Sequence, residues 1–117
     1  MLLSSYVYIP VSNMDKSAEW YEKNLGFKVT LKDELYYELS TENGIRIMLL
    51  PDTEHINSQM KFSDGEQPSY GFMVDNIDEI REKMFDSGIK VGEMFDYCGR
   101  SFSFYDLDGN KIELWQV

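Results

Sequence analysis

Val11-Ser12-Asn13-Met14-Asp15-Lys16-Ser17-Ala18-Glu19 has a counterpart later in the chain, Val74-Asp75-Asn76-Ile77-Asp78-Glu79-Ile80-Arg81-Glu82. The two stretches share Val11/Val74, Asn13/Asn76, Asp15/Asp78 and Glu19/Glu82. With one extra residue allowed at Leu25, the match continues from Gly26-Phe27-Lys28-Val29 to Gly88-Ile89-Lys90-Val91, giving seven identities in eighteen compared positions. A second block keeps the same order in both halves. Gly44-Ile45-Arg46-Ile47-Met48-Leu49-Leu50 aligns with Gly109-Asn110-Lys111-Ile112-Glu113-Leu114-Trp115. One such block could arise by chance; two in order mark a supersecondary unit used twice.

Working outward, the hydrophobic period fixes what each unit contains. Ser4 to Val11 alternates, with Val7, Ile9 and Val11 on one side and Tyr6, Tyr8 and Pro10 on the other, which predicts a strand. Asn13 is placed to cap a helix whose stripe is Met14, Ala18, Tyr21 and Leu25, and Gly26 ends it. Strands are predicted at Phe27–Leu31, Leu35–Ser40 and Ile45–Leu50. The second copy repeats the plan. A strand at Ser69–Val74 leads to a helix opened by an Asn76/Glu79 capping box and striped by Ile77, Ile80 and Met84. Gly88 ends this helix, and strands near Lys90–Met94, Ser101–Tyr105 and Lys111–Trp115 follow. The expectation is an α+β fold of two tandem β-α-β-β-β modules, about 1–52 and about 68–117. The polar stretch Pro51–Pro68 reads as the linker, about 53–67, within one domain of residues 1–117.

Composition narrows the function classes. The chain has 117 residues, enough for one domain, and at 43% hydrophobic and 15% aromatic it can fill a core. A net charge of −10 argues against nucleic acid, which needs a basic footprint. It favours neutral or cationic ligands. The single cysteine, Cys98, excludes an intrachain disulfide. No apolar run approaches the roughly 20 residues of a membrane span, and Met1-Leu2-Leu3-Ser4-Ser5-Tyr6 lacks the basic start of a signal peptide. A cytoplasmic protein without membrane partners is expected.

Two segments carry a family resemblance. Val11 to Phe27, ending Asn24-Leu25-Gly26-Phe27, resembles the first helix of the vicinal-oxygen-chelate superfamily, which includes glyoxalases, bleomycin-resistance proteins and extradiol dioxygenases. Phe104-Tyr105-Asp106-Leu107-Asp108-Gly109-Asn110-Lys111-Ile112-Glu113-Leu114 resembles its final hairpin, with Leu107 where a proline is usual. The resemblance spans the chain and implies modules whose strands curl as a mixed sheet around a cavity. Asp106-Leu107-Asp108-Gly109-Asn110 is not a calcium loop, because the glycine follows Asp108 directly; Asp and Gly serve a tight turn there.

In metal-using relatives, the resemblance implies four ligands from the first and last strands of the modules. The repeat maps these positions onto Tyr6, Met48, Ser69 and Glu113. Glu113 alone suits a hard or borderline divalent cation; methionine is a soft ligand, and neutral tyrosine and serine are poor ones. No metal and no cofactor are therefore expected. The only histidine, His55, falls in the linker, Cys98 has no histidine beside it, and no glycine-rich phosphate loop occurs.

Strand alternation groups further side chains with these positions. Tyr8 and Pro10 go with Tyr6, Arg46 and Leu50 with Met48, Gly71 and Met73 with Ser69, and Lys111 and Trp115 with Glu113. Arg100, in Gly99-Arg100-Ser101-Phe102, resembles a basic position of the family and is expected to meet a ligand anion, Glu113 or solvent. The candidate ligand-binding residues are thus Tyr6, Tyr8, Met48, Ser69, Met73, Arg100, Glu113 and Trp115. Such a lining suits a small organic molecule held by stacking and burial. The favoured expectation is a metal-free, homodimeric binding protein of the bleomycin-resistance type, with Tyr36 and Tyr37 available to an interface. The alternatives are a glyoxalase-, lyase- or dioxygenase-like enzyme, or a metal-independent enzyme using Glu113 or Tyr6 as acid or base.

Overall fold

In the computed structural model, which describes residues 1–117, strand β1 (Val7–Val11) leads into helix α1 (Met14–Leu25) through Asn13. Asn13 is extended, and its side-chain oxygen accepts the Lys16 N–H at 2.9 Å, satisfying one orphan donor of the first turn. Gly26 closes the helix in the left-handed region at φ 73°, where a Cβ is disfavoured. Strands β2 (Lys28–Lys32), β3 (Tyr37–Ser40) and β4 (Arg46–Pro51) complete a four-stranded sheet in the order β1-β4-β3-β2. β1 runs parallel to β4, and the other pairs are antiparallel. The alternation reads directly as burial. Ile9, Val11, Leu39, Ile47 and Leu49 are buried with Ala18, Tyr21 and Phe27 on the side that α1 covers. At about 1.5–3 kcal/mol for each large apolar side chain removed from water, this layer is the main source of stability in the unit.

The second half repeats this with its own additions. A ribbon of β5 (Met60–Phe62) and β6 (Gly65–Gln67) occupies the stretch read as the linker. Ser63 and Asp64 form its two-residue turn, and Gly65 follows at φ 142°. β7 (Gly71–Met73), α2 (Ile77–Asp86), β8 (Phe95–Asp96), β9 (Arg100–Tyr105) and β10 (Lys111–Gln116) follow, with the sheet ordered β7-β10-β9-β8. Its core is Ile77, Met84, Phe102, Phe104, Ile112 and Leu114. The chain divides into two compact units, Met1–Asn57 and Ser58–Val117.

Three local expectations change. Asn76 makes no side-chain cap, so the capping box does not form; the Gln116 side-chain oxygen takes the Ile77 N–H at 2.9 Å instead. The strand expected over Lys90–Met94 is reduced to a single bridge between Val91 and Phe104, and regular pairing resumes only at Phe95. β1 starts at Val7, not Ser4.

The internal repeat extends to backbone detail. Tyr8 pairs with Met48 as Gly71 pairs with Glu113, and Leu39 with Ile47 as Phe104 with Ile112. Register slips by one residue just after Val29–Leu39, and again after the equivalent Val91–Phe104, before Phe95–Ser101. Such a bulge bends an edge strand and increases its twist. The turns before the last strands also match. The Thr41 N–H donates to the Ile45 carbonyl, the Thr41 carbonyl accepts the Gly44 N–H, and the Thr41 hydroxyl accepts the Ile45 N–H. Likewise the Asp106 N–H donates to the Asn110 carbonyl, the Asp106 carbonyl accepts the Gly109 N–H, and the Asp106 carboxylate accepts the Asn110 N–H. Gly44 (φ 88°) and Gly109 (φ 80°) supply the left-handed residue in each.

Candidate ligand-binding face

Each sheet has one face under its helix and one face left to other partners. On the second sheet, pairing aligns side chains in rows across the free face. Ser103, Glu113 and Gly71 form one row, and Phe95, Ser101, Trp115 and Met73 the next. Gly71, Phe72, Met73, Glu113 and Trp115 line a recess of about 180 Å³. That is below the roughly 300–1,000 Å³ of a drug-sized pocket and is room for a single ring-sized group.

The recess exists because Gly71 carries no side chain. A Cβ there would lie 2.5 Å from the Glu113 carbonyl oxygen, so only glycine allows β7 to run this close to β10. Gly99 does the same for the indole of Trp115. It sits at φ 121°, and a Cβ on it would lie 2.5 Å from Trp115 Nε1, which places the indole over the β8–β9 hairpin.

Glu113 is half-buried, and its carboxylate has no hydrogen bond or ion pair within the protein. The nearest cation along its strand is drawn away, since Lys111 Nζ donates to the Glu66 carbonyl at 3.0 Å. Gln59 helps fix that arrangement by bonding the Lys111 N–H at 3.3 Å and the Glu66 carboxylate at 3.0 Å. The result is an uncompensated carboxylate beside an aromatic wall.

The first sheet's free face differs at the same register positions. Tyr8 and Met48 stand where the second copy has Gly71 and Glu113. Tyr6 and Tyr8 meet edge-to-face with ring centroids 5.3 Å apart. The Tyr6 hydroxyl, by its hydrogen bond and its charge, holds the Tyr8 phenol above its ordinary value, with Tyr36 adding to the effect. Arg46 is paired with Glu38 at 3.4 Å, so this face keeps its cation neutralised.

Two expected residues are placed elsewhere. Arg100 lies in register with Gln116 on the helix-covered side of its sheet and pairs with Asp78 in the first turn of α2 at 2.5 Å. Ser69 donates its hydroxyl to the Ser58 carbonyl at 2.6 Å. Phe95, Ser101, Ser103 and Glu38 were missed. They become visible only when strand pairing assigns them to the faces of Glu113 and Met48.

The donor set does not fit a divalent metal. The first unit brings a phenol and a thioether, and the second an engaged hydroxyl and one carboxylate. No group of three or more His, Cys, Asp or Glu side chains is placed to hold an ion. No helix is long and apolar enough to cross a membrane.

Paired β-α-β-β-β modules with repeated register define the class of the protein. The chain belongs to the Glyoxalase/Bleomycin resistance protein/Dioxygenase superfamily, whose family model matches residues 3–114. An integron cassette protein from the mobile metagenome of Halifax Harbour Sewage Outfall is similar in structure at TM-score 0.79 and 20% identity, covering 100% of both chains. TnmS3, an antibiotic binding protein from Streptomyces sp. CB03234, has TM-score 0.75 and 19% identity, covering 99% of this chain and 96% of its own. The oxidase ChaP-H2 has TM-score 0.71 and 18% identity, over 99% and 94%. No curated protein matches the sequence.

Proposed function

We propose that the protein is a metal-free binding protein of the bleomycin-resistance type, acting in the cytoplasm and holding a small organic cation with an aromatic portion at the Glu113–Trp115 recess. The carrying observation is the Glu113 carboxylate, half-buried, unpaired and bordered by Trp115 and Met73, with Lys111 turned away to Glu66. A cation over an aromatic face gains roughly 0.5–2 kcal/mol, and a charge-assisted contact to a carboxylate about 1.5–3 kcal/mol. The antibiotic-binding relative has the same fold, which supports the reading without naming the ligand.

The test is a thermal-shift screen of organic cations and metabolites, followed by calorimetry on Glu113→Gln and Trp115→Ala and by elemental analysis of protein purified without chelators. Binding without turnover, weakened by both substitutions, is expected. Tight metal near one per chain that is lost in Glu113→Gln, or consumption of the ligand, replaces the reading with an enzyme of the superfamily.

We infer also that two chains associate. Each four-stranded sheet ends in strands with one free edge, β1 and β2 in one and β7 and β8 in the other, and such edges favour pairing or covering. Tyr37 is less available than the sequence suggests, because its hydroxyl donates to Asp15 at 2.8 Å. Sedimentation equilibrium at micromolar concentration is expected to give twice the 13.7 kDa chain mass, and a monomer refutes the inference.

A further inference from the structure

The two copies differ in one further row. In the second copy Lys90, Tyr105 and Lys111 stand side by side: the Tyr105 N–H donates to the Lys90 carbonyl at 3.1 Å, and Tyr105 pairs with Lys111. In the first copy the same row is Lys28, Ser40 and Arg46. Each row has a cation at either end, and in each the cation on the last strand is already engaged, Lys111 by the Glu66 carbonyl and Arg46 by Glu38. At the other end the copies part. Lys90 Nζ lies over the Tyr105 ring, 4.6 Å from its centroid. Lys28 faces a serine instead of a ring, and its ammonium makes no ion pair or hydrogen bond within the protein. The Ser40 hydroxyl makes none either. Lys28 and Ser40 both line a groove of about 570 Å³ at the C-terminal end of α1, with Leu25 and Ile45 as its apolar side chains. That volume falls within the roughly 300–1,000 Å³ of small-molecule sites. Glu42 lines it too, so the groove as a whole carries no net charge and suits an uncharged ring.

We propose that this groove is a binding site for a phenol-bearing small molecule, whose ring takes under the Lys28 ammonium the place that Tyr105 takes under Lys90. The second copy supplies the template: the same register and the same free lysine, with the ring built into the chain. In the first copy serine leaves the lysine without its aromatic face and the ring's position open. The groove shares no residue with the Glu113–Trp115 recess and takes a different class of ligand, a neutral phenol where the recess takes a cation.

The probe is para-cresol, the tyrosine side chain as a free molecule, followed by amide shifts of the whole chain in proton–nitrogen correlation spectra. Saturable shifts are expected at Lys28, Ser40 and Ile45, with a millimolar dissociation constant, as so few ligand atoms allow. The saturated alcohol of the same skeleton has no π-face and is expected to bind about two- to fivefold less tightly. Lys28→Met should weaken para-cresol by about the same factor, and Lys28→Arg should restore it. Ser40→Tyr rebuilds the second copy's pair within the first; it should abolish binding and leave the thermal midpoint at or above that of the parent. Lys28 is exposed, so its variants fold and carry the test even where Ser40→Tyr does not. Trp115→Ala should leave the shifts unchanged, which separates this groove from the recess. Shifts confined to Met73 and Trp115, equal binding of the ring and its saturated analogue, or parent-like binding by Lys28→Met would each overturn the proposal.

Discussion

Tyr8 and Gly71 occupy the same position in two copies of one sheet, Tyr8 paired with Met48 and Gly71 with Glu113. The backbone is shared and the side chains are opposed in kind. In one copy an aromatic ring fills the face; in the other an absent side chain opens a recess in front of a carboxylate.

Gly71→Ala tests that relationship. The added methyl meets backbone, not a flexible side chain, so β7 must move away from β10. A loss of about 1–3 kcal/mol in urea unfolding is expected, as for overpacking elsewhere, together with weaker binding at the recess. An unchanged midpoint means that the close approach is not needed.

The two helices should respond differently to the same substitution. Asn13→Ala is expected to cost about 1 kcal/mol, because Asn13 caps α1. Asn76→Ala is expected to be nearly neutral, since Asn76 makes no side-chain cap. Gln116→Ala should take the larger share at α2, about 1 kcal/mol for the bond to Ile77. Equal losses at Asn13 and Asn76 in thermal unfolding contradict this assignment.

Gly99→Ala should displace the indole it underlies. Its φ of 121° and the contact with Trp115 Nε1 both oppose a side chain. A loss of roughly 1–3 kcal/mol is expected, with a red-shifted Trp115 emission in a Trp20→Phe background, which leaves Trp115 as the only tryptophan. Emission identical to that of the parent means the indole does not depend on Gly99.

Acid should weaken the first unit through Asp52. Burial pushes its carboxyl upward, but the N–H groups of Ile56, Asn57, Glu54 and His55 outweigh that and hold it below the ordinary value. With the folded value depressed, the contribution is present above the unfolded value near 3.9 and is lost as pH falls through the lower folded value. Stability should therefore decline below about pH 4, and Asp52→Asn should flatten that decline. The same acid slope in parent and variant argues against Asp52 as its source.

The fold was largely legible because the repeat carries it. Aligning Gly44 with Gly109 already places Met48 against Glu113, and the observed pairing keeps that correspondence. What stayed hidden depends on contacts distant in sequence. Gln116 caps a helix that begins at Ile77, so the local Asn76/Glu79 pattern pointed to the wrong group. Arg100 shares its alternation with Phe102 and Phe104, which was readable, yet the family resemblance suggested the opposite face. Phe95 could not be joined to Trp115 until Ser101 was known to pair with both.

The parallel pairing of β1 with β4 and of β7 with β10 also bears on how the chain reaches this structure. Each joins residues only about 40 apart, and no strand of one sheet is paired with a strand of the other. The slowest loop to close is set by half the chain, not by all of it, which keeps contact order low for a mixed sheet. During synthesis the first copy has all its strands once Pro51 has emerged, before any of β7 to β10 exists, so folding can proceed copy by copy from the N-terminus.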